Sequence, residues 1–257
     1  VQWRHSIIDG AWVDGVRHRA DVVAGQYQAS PTVADGVVYV GGPDGFLDAV
    51  DVETGARLWR FETHGRISCA PRIAEGKVFL GKNAHHDEFY AIDQKTGEPV
   101  WTIEDLGWTS LGAPGYADGM VFVGTVEGTM FGVDASDGAV VWERATGKGI
   151  YPSPATDDTN VYTGSHDGHY YAFDQKTGDV AWKTFTANPE GHGGLPDSAA
   201  TVLLGDHVYA QKRGASIVAL SKDTGEEAWS WTQPANYLQN GTVAAAHGRI
   251  YGSVVRL

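Results

Sequence analysis

The residues best suited to metal binding and proton transfer are concentrated in one short insertion, His85-His86-Asp87-Glu88. Neutral imidazole and carboxylate groups suit zinc or another divalent ion, and His192 or His166 could complete a set of three or four ligands. Adjacent residues of an extended segment point to opposite sides, so only one of the two histidines in the insertion faces any given site. No ligand spacing here is diagnostic. A solvated polar loop is the favoured interpretation, and a divalent metal site is the alternative, with candidate ligands His85, His86, Asp87 and His192.

A second chemistry is acid–base catalysis on an acidic polysaccharide. His85 or His192 would act as the base and Tyr151 or Tyr27 as the proton donor, while Arg66 and Lys148 would bind the carboxylate of a uronate. The competing interpretation is that Tyr151 merely packs at the wall of a channel. The sequence leaves open whether the chain is an enzyme, and the catalytic candidates in that case are His85, His192, Tyr151 and Arg66.

Other reactive groups are explained by turns and packing. Asp44, Glu127 and Asp167 recur in register beside glycines, so turn formation accounts for them better than a glycosidase carboxylate pair does. Cys69 is the only cysteine, so no intrachain disulfide or multi-cysteine metal site can form. We expect it to pack as a small apolar side chain. The sequence contains no Gly-x-Ser-x-Gly elbow, phosphate-binding loop or His-Glu-x-x-His motif.

The net charge of the chain limits the classes of partner that it can bind. A net charge of −13 argues against binding to nucleic acid or to an anionic membrane surface, since both need basic patches. No apolar run is long enough to span a bilayer, and Val1-Gln2-Trp3-Arg4-His5 is not a signal peptide. The partners that remain are a protein or a carbohydrate. The oligomeric state is not readable from the sequence.

A repeat positions all of these residues. Tryptophans occur at 59, 101, 142, 182 and 229, and eight residues before each stands an aspartate or a serine: Asp51, Asp93, Asp134, Asp174 and Ser221. A period of roughly 40–50 residues with four short strands indicates a propeller blade. Asp-Gly and Thr-Gly pairs mark the hairpins within each repeat. The predicted fold is all-β, a β-propeller of four-stranded antiparallel blades, about six in number.

We expect residues 1–257 to form a single propeller domain. The full repeats span about 30–59, 70–101, 113–142, 153–182 and 199–229, and a partial repeat spans 241–257. Val1-Gln2-Trp3 has the Val-x-Trp ending of the repeats, so it could supply the outer strand of the last blade and close the ring between the two termini. The alternative is that the chain is a fragment of a longer propeller.

Propeller loops that enter the inner strands, or join the second and third strands, gather on one face around the channel. Such channel mouths are the usual ligand site of the fold. The predicted ligand-binding residues on this face are Gln26, Tyr27, His64, Arg66, His86, Trp108, Lys148, His166, His192, Tyr237 and Asn240.

The segments Ala-Asp-Gly-Val-Val-Tyr-Val-Gly-Gly at 34–42 and Ala-Ile-Asp-Gln-Lys-Thr-Gly-Glu-Pro-Val-Trp at 91–101 resemble the PQQ-like β-propeller repeat family over nearly the whole chain. That family includes quinone-dependent alcohol dehydrogenases, outer-membrane assembly scaffolds and sensor domains. The dehydrogenases carry two adjacent cysteines beside the quinone, whereas this chain has only Cys69, so PQQ is disfavoured and no cofactor is expected. The resemblance implies a periplasmic or extracellular protein.

Three functions follow from this comparison of motifs. The preferred one is a non-catalytic, extracytoplasmic propeller that binds a protein or a carbohydrate through loops on one face. The first alternative is a polysaccharide lyase, or another enzyme acting on an acidic polysaccharide, with a His/Tyr/Arg site at the channel mouth. The second alternative is a fragment of a quinone-dependent dehydrogenase. Fold alone does not choose among them.

Overall fold

The structure of the chain is a computed structural model. The structure describes residues 12–13, 16–17, 29–82, 88–109, 112–186, 200–212, 216–232, 237–238, 244–251 and 255–256. All regular elements in these ranges are strands, so the all-β prediction is confirmed. Among the described residues, no helix is long and apolar enough to cross a membrane.

Five four-stranded antiparallel sheets correspond to the five predicted full repeats, and in each the strands pair in chain order. The first sheet contains β3 (Thr32–Ala34), β4 (Val37–Gly41), β5 (Phe46–Asp51) and β6 (Arg57–Glu62), and the second contains β7 (Arg72–Ala74), β8 (Lys77–Gly81), β9 (Phe89–Asp93) and β10 (Pro99–Ile103). The third contains β11 (Gly115–Ala117), β12 (Met120–Gly124), β13 (Thr129–Asp134) and β14 (Val140–Ala145). The fourth contains β15 (Ala155–Thr156), β16 (Asn160–Gly164), β17 (His169–Asp174) and β18 (Val180–Phe185), and the fifth contains β19 (Val202–Leu204), β20 (His207–Lys212), β21 (Ser216–Ser221) and β22 (Glu227–Thr232). These meanders are the blades of a β-propeller.

Short strand pairs lie outside these five sheets. β1 (Trp12–Val13) pairs with β2 (Val16–Arg17), and β23 (Tyr237–Leu238) pairs with β26 (Val255–Arg256). The first two strands of the partial repeat are β24 (Ala244–Ala246) and β25 (Arg249–Tyr251). Val1-Gln2-Trp3 lies outside the described residues, so closure of the last blade by the two termini stays a prediction.

The middle strands of each blade are packed on both faces. In β12 and β13 the central residues Val121, Phe122, Met130 and Val133 are fully enclosed. Strands covered on both sides need continuous apolar runs rather than alternation, which is what the sequence shows at 121–123. Contacts divide the chain into two compact units, Val1–Pro114 and Gly115–Leu257, and the single-domain boundary stays a prediction.

The Asp-x-x-Thr-Gly turn is built by its own carboxylate. Asp93 Oδ1 accepts hydrogen bonds from the backbone N–H of Lys95 at 2.9 Å and of Thr96 at 2.8 Å, and from the Thr96 hydroxyl at 3.0 Å. Gly97 then adopts a φ of +76°, a conformation that glycine reaches without strain. The same arrangement occurs at Asp174, while Asp137 replaces the threonine in the third repeat and Ser221 replaces the aspartate in the fifth.

These turns should make stability depend on pH. The backbone hydrogen bond from Thr96 is the largest influence lowering the pKa of Asp93, and that from Thr177 likewise lowers the pKa of Asp174. A carboxylate whose pKa is lowered by folding stabilises the protein at pH values above the pKa of the unfolded state, 3.8. This stabilisation is lost as the pH falls through the pKa of the folded state. We therefore expect the denaturant midpoint to be constant from pH 7 to about pH 5 and to fall below about pH 4. Guanidinium titrations across this range measure it.

The fifth repeat supplies the control for this prediction. There Ser221 replaces the aspartate, and its Oγ lies 3.4 Å from the Thr224 N–H. An Asp174→Ser variant should lose part of the acid-dependent slope. A slope unchanged in Asp174→Ser would mean that the acid sensitivity comes from other carboxylates.

Three of the outer-strand tryptophans reach the turn of the next repeat. Trp59 Nε1 donates to the Gln94 carbonyl at 3.0 Å, and Trp142 and Trp182 donate to the carbonyls of Gln175 and Lys222, both at 2.7 Å. These three indoles therefore lie between neighbouring blades. The strand register shifts just before every one of the five tryptophans, which bends each outer strand.

Candidate functional site

The loops of the second compact unit bring together Tyr151, a catalytic candidate, and His166, a predicted ligand-binding residue. Their ring centroids are 4.1 Å apart with an interplanar angle of 31°. Tyr151 lies in the segment before β15, and His166 lies in the turn between β16 and β17. The His166 N–H donates to the Gly149 carbonyl at 2.8 Å, and a Cβ at Gly149 would lie only 2.7 Å from the tyrosine ring. The pair is thus held by its backbone, and both residues are partly exposed.

Asp167 organises the loop next to this aromatic pair. Its Oδ2 accepts hydrogen bonds from the Tyr171 hydroxyl at 2.5 Å and the Gly147 N–H at 2.9 Å, and its Oδ1 accepts from the His169 N–H at 2.9 Å. Burial would raise the pKa of this carboxyl, but these hydrogen bonds outweigh it and leave the pKa below the ordinary range. An anionic acceptor with three donors stabilises the loop and is poorly suited to act as an acid or base. The interpretation of Asp167 as a turn residue is confirmed.

Lys148 carries the exposed positive charge of this loop region. Its carbonyl accepts hydrogen bonds from the Thr146 hydroxyl at 2.6 Å and the Ser165 hydroxyl at 2.8 Å. A Cβ at Gly128 would lie 2.5 Å from that carbonyl oxygen, so the glycine permits the close approach. These contacts fix the backbone of Lys148, although the residue is exposed to solvent.

In the first compact unit, the predicted residues His64, Arg66 and Trp108 are described. His64 has a φ of +53° and its Nδ1 lies 3.3 Å from Glu62 Oε1. Trp108 is exposed, and Arg66 is partly buried. Arg66 belongs to Val1–Pro114 and Lys148 to Gly115–Leu257, so their joint recognition of a uronate stays a prediction.

A buried ion pair in this unit was missed by the sequence reasoning. Lys82 is only 2% exposed and its Nζ pairs with Glu88 Oε2, which also accepts a hydrogen bond from the Tyr90 hydroxyl at 2.5 Å. Burial would raise the pKa of Glu88, but hydrogen bonds from Lys82 and Tyr90 prevail and lower it. The signal was in the repeat alignment, because Lys82 occupies the position where other repeats place Gly42, Thr125 and Ser165.

This ion pair joins the two ends of the predicted His-rich insertion. The N–H of Thr125 donates to the carbonyl four residues later at 2.9 Å, whereas the N–H of Lys82 donates to the carbonyl of Glu88, six residues later, at 3.4 Å. The hairpin of the second blade thus keeps the equivalent backbone hydrogen bond, although its loop is two residues longer. The insertion is anchored by described residues on both sides.

Several predicted site residues lie outside the described residues. They are Gln26, Tyr27, His85, His86, Asp87, His192 and Asn240, and of Tyr237 only the strand assignment is described. No group of three or more His, Cys, Asp or Glu residues that could hold a metal occurs within the described ranges. The metal site at His85, His86, Asp87 and His192 therefore stays a prediction.

Cys69 behaves as a packed thiol. It is buried, burial raises its pKa to about 11, and its Sγ lies 3.4 Å from the Gly81 carbonyl. A thiol that stays protonated at neutral pH is a poor nucleophile. The expectation that Cys69 packs rather than reacts is confirmed.

Comparison with known proteins matches the chain to one family over almost its full length. The family model described as outer membrane protein assembly factor BamB matches residues 1–111 and, separately, residues 91–255. Among solved structures, BamB from Moraxella catarrhalis superimposes with a TM-score of 0.64 at 19% identity, covering 91% of this chain and 89% of that one. At this identity the likeness shows the fold alone.

Curated relatives differ in function. A 1-butanol dehydrogenase (cytochrome c) of Thauera butanivorans is 30% identical over 239 residues, which is 80% of this chain and 34% of the relative. An outer membrane protein assembly factor BamB of Shewanella oneidensis is 29% identical over 121 residues, covering 46% of this chain and 30% of that protein. The chain spans about a third of the length of these relatives.

Proposed function

The chain belongs to the PQQ-like β-propeller family whose model is described as outer membrane protein assembly factor BamB, and on this premise we propose that it is a non-catalytic, extracytoplasmic propeller that binds a protein partner through its loops. The observation that carries the proposal is the rigid, partly exposed Tyr151–His166 pair beside the exposed Lys148. Tyrosine rings whose orientation is fixed by their neighbours are typical anchors of protein interfaces. Carbohydrate remains the second ligand class.

The hydrogen bonding of the same loops favours binding over catalysis. Both carboxylate oxygens of Asp167 accept hydrogen bonds. Burial is the largest cause that raises the pKa of Tyr171, and its hydrogen bond to Asp167 raises that pKa further. A proton-transfer pair needs groups whose pKa values lie near the working pH. Neither member of this hydrogen-bonded pair meets that requirement. The lyase alternative would depend on His85 or His192, and it stays a prediction.

The scaffold proposal can be tested by site-specific crosslinking. We expect a photoreactive benzoylphenylalanine at position 151 to crosslink the protein to one defined partner in a periplasmic fraction. His166→Ala should then weaken binding of that purified partner by about tenfold, because it removes the ring that holds Tyr151. Isothermal titration calorimetry measures the affinity.

A matched control separates the loop face from the rest of the surface. Val141→Ala on β14 removes an exposed apolar side chain away from these loops and should leave the affinity unchanged. Reproducible turnover of a uronate polymer or an alcohol by the purified protein would contradict the proposal.

The similarity to a 1-butanol dehydrogenase over 80% of the chain favours a second candidate, a dehydrogenase segment. The described residues do not fit a calcium-bound quinone. Cys69 is buried and has no cysteine neighbour in the sequence, and the described ranges contain no three-residue set of His, Cys, Asp or Glu ligands. Dye-linked alcohol oxidation after reconstitution with quinone and calcium would establish this candidate instead.

A further inference from the structure

Arg72 places a positive charge at the start of the first strand of the second sheet. It is the first residue of β7, which forms the edge of that sheet, and it is half-buried. Its Nε donates to the Pro114 carbonyl at 2.8 Å, and this contact fixes the orientation of the guanidinium. Within the described ranges, neither Nη1 nor Nη2 has a hydrogen-bond or ion-pair partner. Two of the three nitrogens of the guanidinium are therefore unused.

The fold does not require a charge at this position. The first residues of the other four first strands are uncharged: Thr32, Gly115, Ala155 and Val202. Thr32 makes the same kind of contact as Arg72 with a hydroxyl, since its Oγ1 donates to the Pro71 carbonyl at 2.7 Å. A threonine thus supplies the one hydrogen bond to the proline that begins the next repeat. The Nη groups of Arg72 are additional to what the blade needs.

The protein does not balance the charge of Arg72. Burial lowers the pKa of Arg72, and no charged side chain contributes to that shift. A half-buried guanidinium loses part of its hydration, and such a charge is usually paired with an anion. Arg60 in the first sheet shows the usual pairing, because its Nε and Nη2 donate to the two carboxylate oxygens of Asp48, both at 2.6 Å. Arg72 resembles Arg60 without the carboxylate.

The geometry of Arg72 specifies the chemistry of a partner. Its Nε is occupied, so a ligand has access only to Nη1 and Nη2, at the end of the guanidinium. Two parallel N–H donors match the two oxygens of a carboxylate. One positive charge is neutralised by a monoanion, whereas a doubly charged phosphate would add negative charge to a chain whose net charge is already −13. A single carboxylate group is the best match.

We propose that Arg72 anchors a binding site for a small organic ligand with one carboxylate group, which accepts hydrogen bonds from Nη1 and Nη2 while the Pro114 carbonyl holds Nε. The ligand supplies to Arg72 the counter-charge that Asp48 supplies to Arg60. Arg72 belongs to the first compact unit, whereas Tyr151 and His166 belong to the second. The test of this site therefore does not depend on the function proposed for the aromatic pair.

The test observes the arginine side chains directly by nuclear magnetic resonance. The full chain is labelled with ¹⁵N-arginine, and the Nε–H resonances of Arg72 and Arg60 are assigned with Arg72→Lys and Arg60→Lys. Acetate, N-acetylglycine and the methyl glycoside of glucuronic acid are titrated at constant ionic strength. We expect a saturable shift of the Arg72 resonance with at least one of these carboxylates. The tightest of them distinguishes a peptide-like acid from a sugar acid.

Controls in the same spectrum make the result specific. The Arg60 resonance should show no saturable shift, because Asp48 already occupies its donors. N-acetylglycinamide and methyl glucoside, which lack the carboxylate, should leave the Arg72 resonance in place. Arg72→Lys should weaken binding by about tenfold, measured at the backbone N–H of Ile73, because an ammonium keeps the charge but lacks the fork of donors. An unchanged Arg60 resonance shows that this variant is folded.

Four results would overturn the proposal. The first is the absence of a saturable shift at Arg72 with all three carboxylates. The second is an equal shift of Arg60 and Arg72, which would show a general effect of the added salt. The third is tighter binding of inorganic phosphate than of every carboxylate. The fourth is an unchanged affinity in Arg72→Lys, which would mean that the guanidinium fork has no part in binding.

Discussion

Replacing Gly178 with valine should lower the free energy of unfolding by about 4 kcal/mol, through backbone strain and overpacking together. Gly178 has a φ of +70°, where a β-branched residue is strained, and its Cβ would lie 2.5 Å from the indole of Trp142. The valine must either unwind the Asp174 turn or displace the tryptophan from between two sheets. Guanidinium unfolding followed by circular dichroism measures the loss.

Gly119 provides a matched control in the same compact unit. Its φ of +75° carries the same backbone strain, but no atom lies within 4 Å of its added Cβ. Gly119→Val should therefore cost only about 2 kcal/mol, the part due to strain. Equal losses in the two variants would show that the tryptophan contact contributes nothing to stability.

Glu88→Gln should lower the free energy of unfolding by about 3 kcal/mol, because it leaves the Lys82 ammonium buried without a counter-charge. Lys82 is 2% exposed and its charge is compensated by Glu88. The glutamine also accepts a weaker hydrogen bond from the Tyr90 hydroxyl than a carboxylate does. Thermal and chemical unfolding of the variant at pH 7 provide the measurement.

The double variant Lys82→Met/Glu88→Leu tests the cause of that loss. Replacing both charges with apolar side chains removes the desolvation penalty together with the attraction, so most of the stability should return. A double variant as unstable as Glu88→Gln would mean that the loss comes from packing at Glu88 and not from an uncompensated charge.

The blades could be predicted from the sequence because each is a local structure with its own signals. Asp93, Thr96 and Gly97 specify a turn through hydrogen bonds that span four residues, and the apolar runs specify strands covered on both faces. Such contacts depend on neighbours along the chain. The role of Trp59 at the next repeat also follows from periodicity alone.

The site was less predictable because its contacts join residues that are distant in sequence. Tyr151 and His166 were both named as rim residues, but their stacking depends on the exact backbone path at Gly149. Lys82 was not among the predicted site residues, and its burial and its ion pair with Glu88 identify it as an anchor of the loop. Loop geometry of this kind leaves no periodic signal in the amino-acid sequence.

The contacts from each tryptophan to the following turn also determine how stability is distributed along the chain. Trp142 links the third repeat to the fourth, and Trp182 links the fourth to the fifth, so each repeat depends on its immediate neighbours. Systems coupled only to neighbours open by fraying, and amide hydrogens in the best-sandwiched repeat exchange last. The backbone of β16 and β17, which lies between the links made by Trp142 and Trp182, should therefore be among the last to exchange.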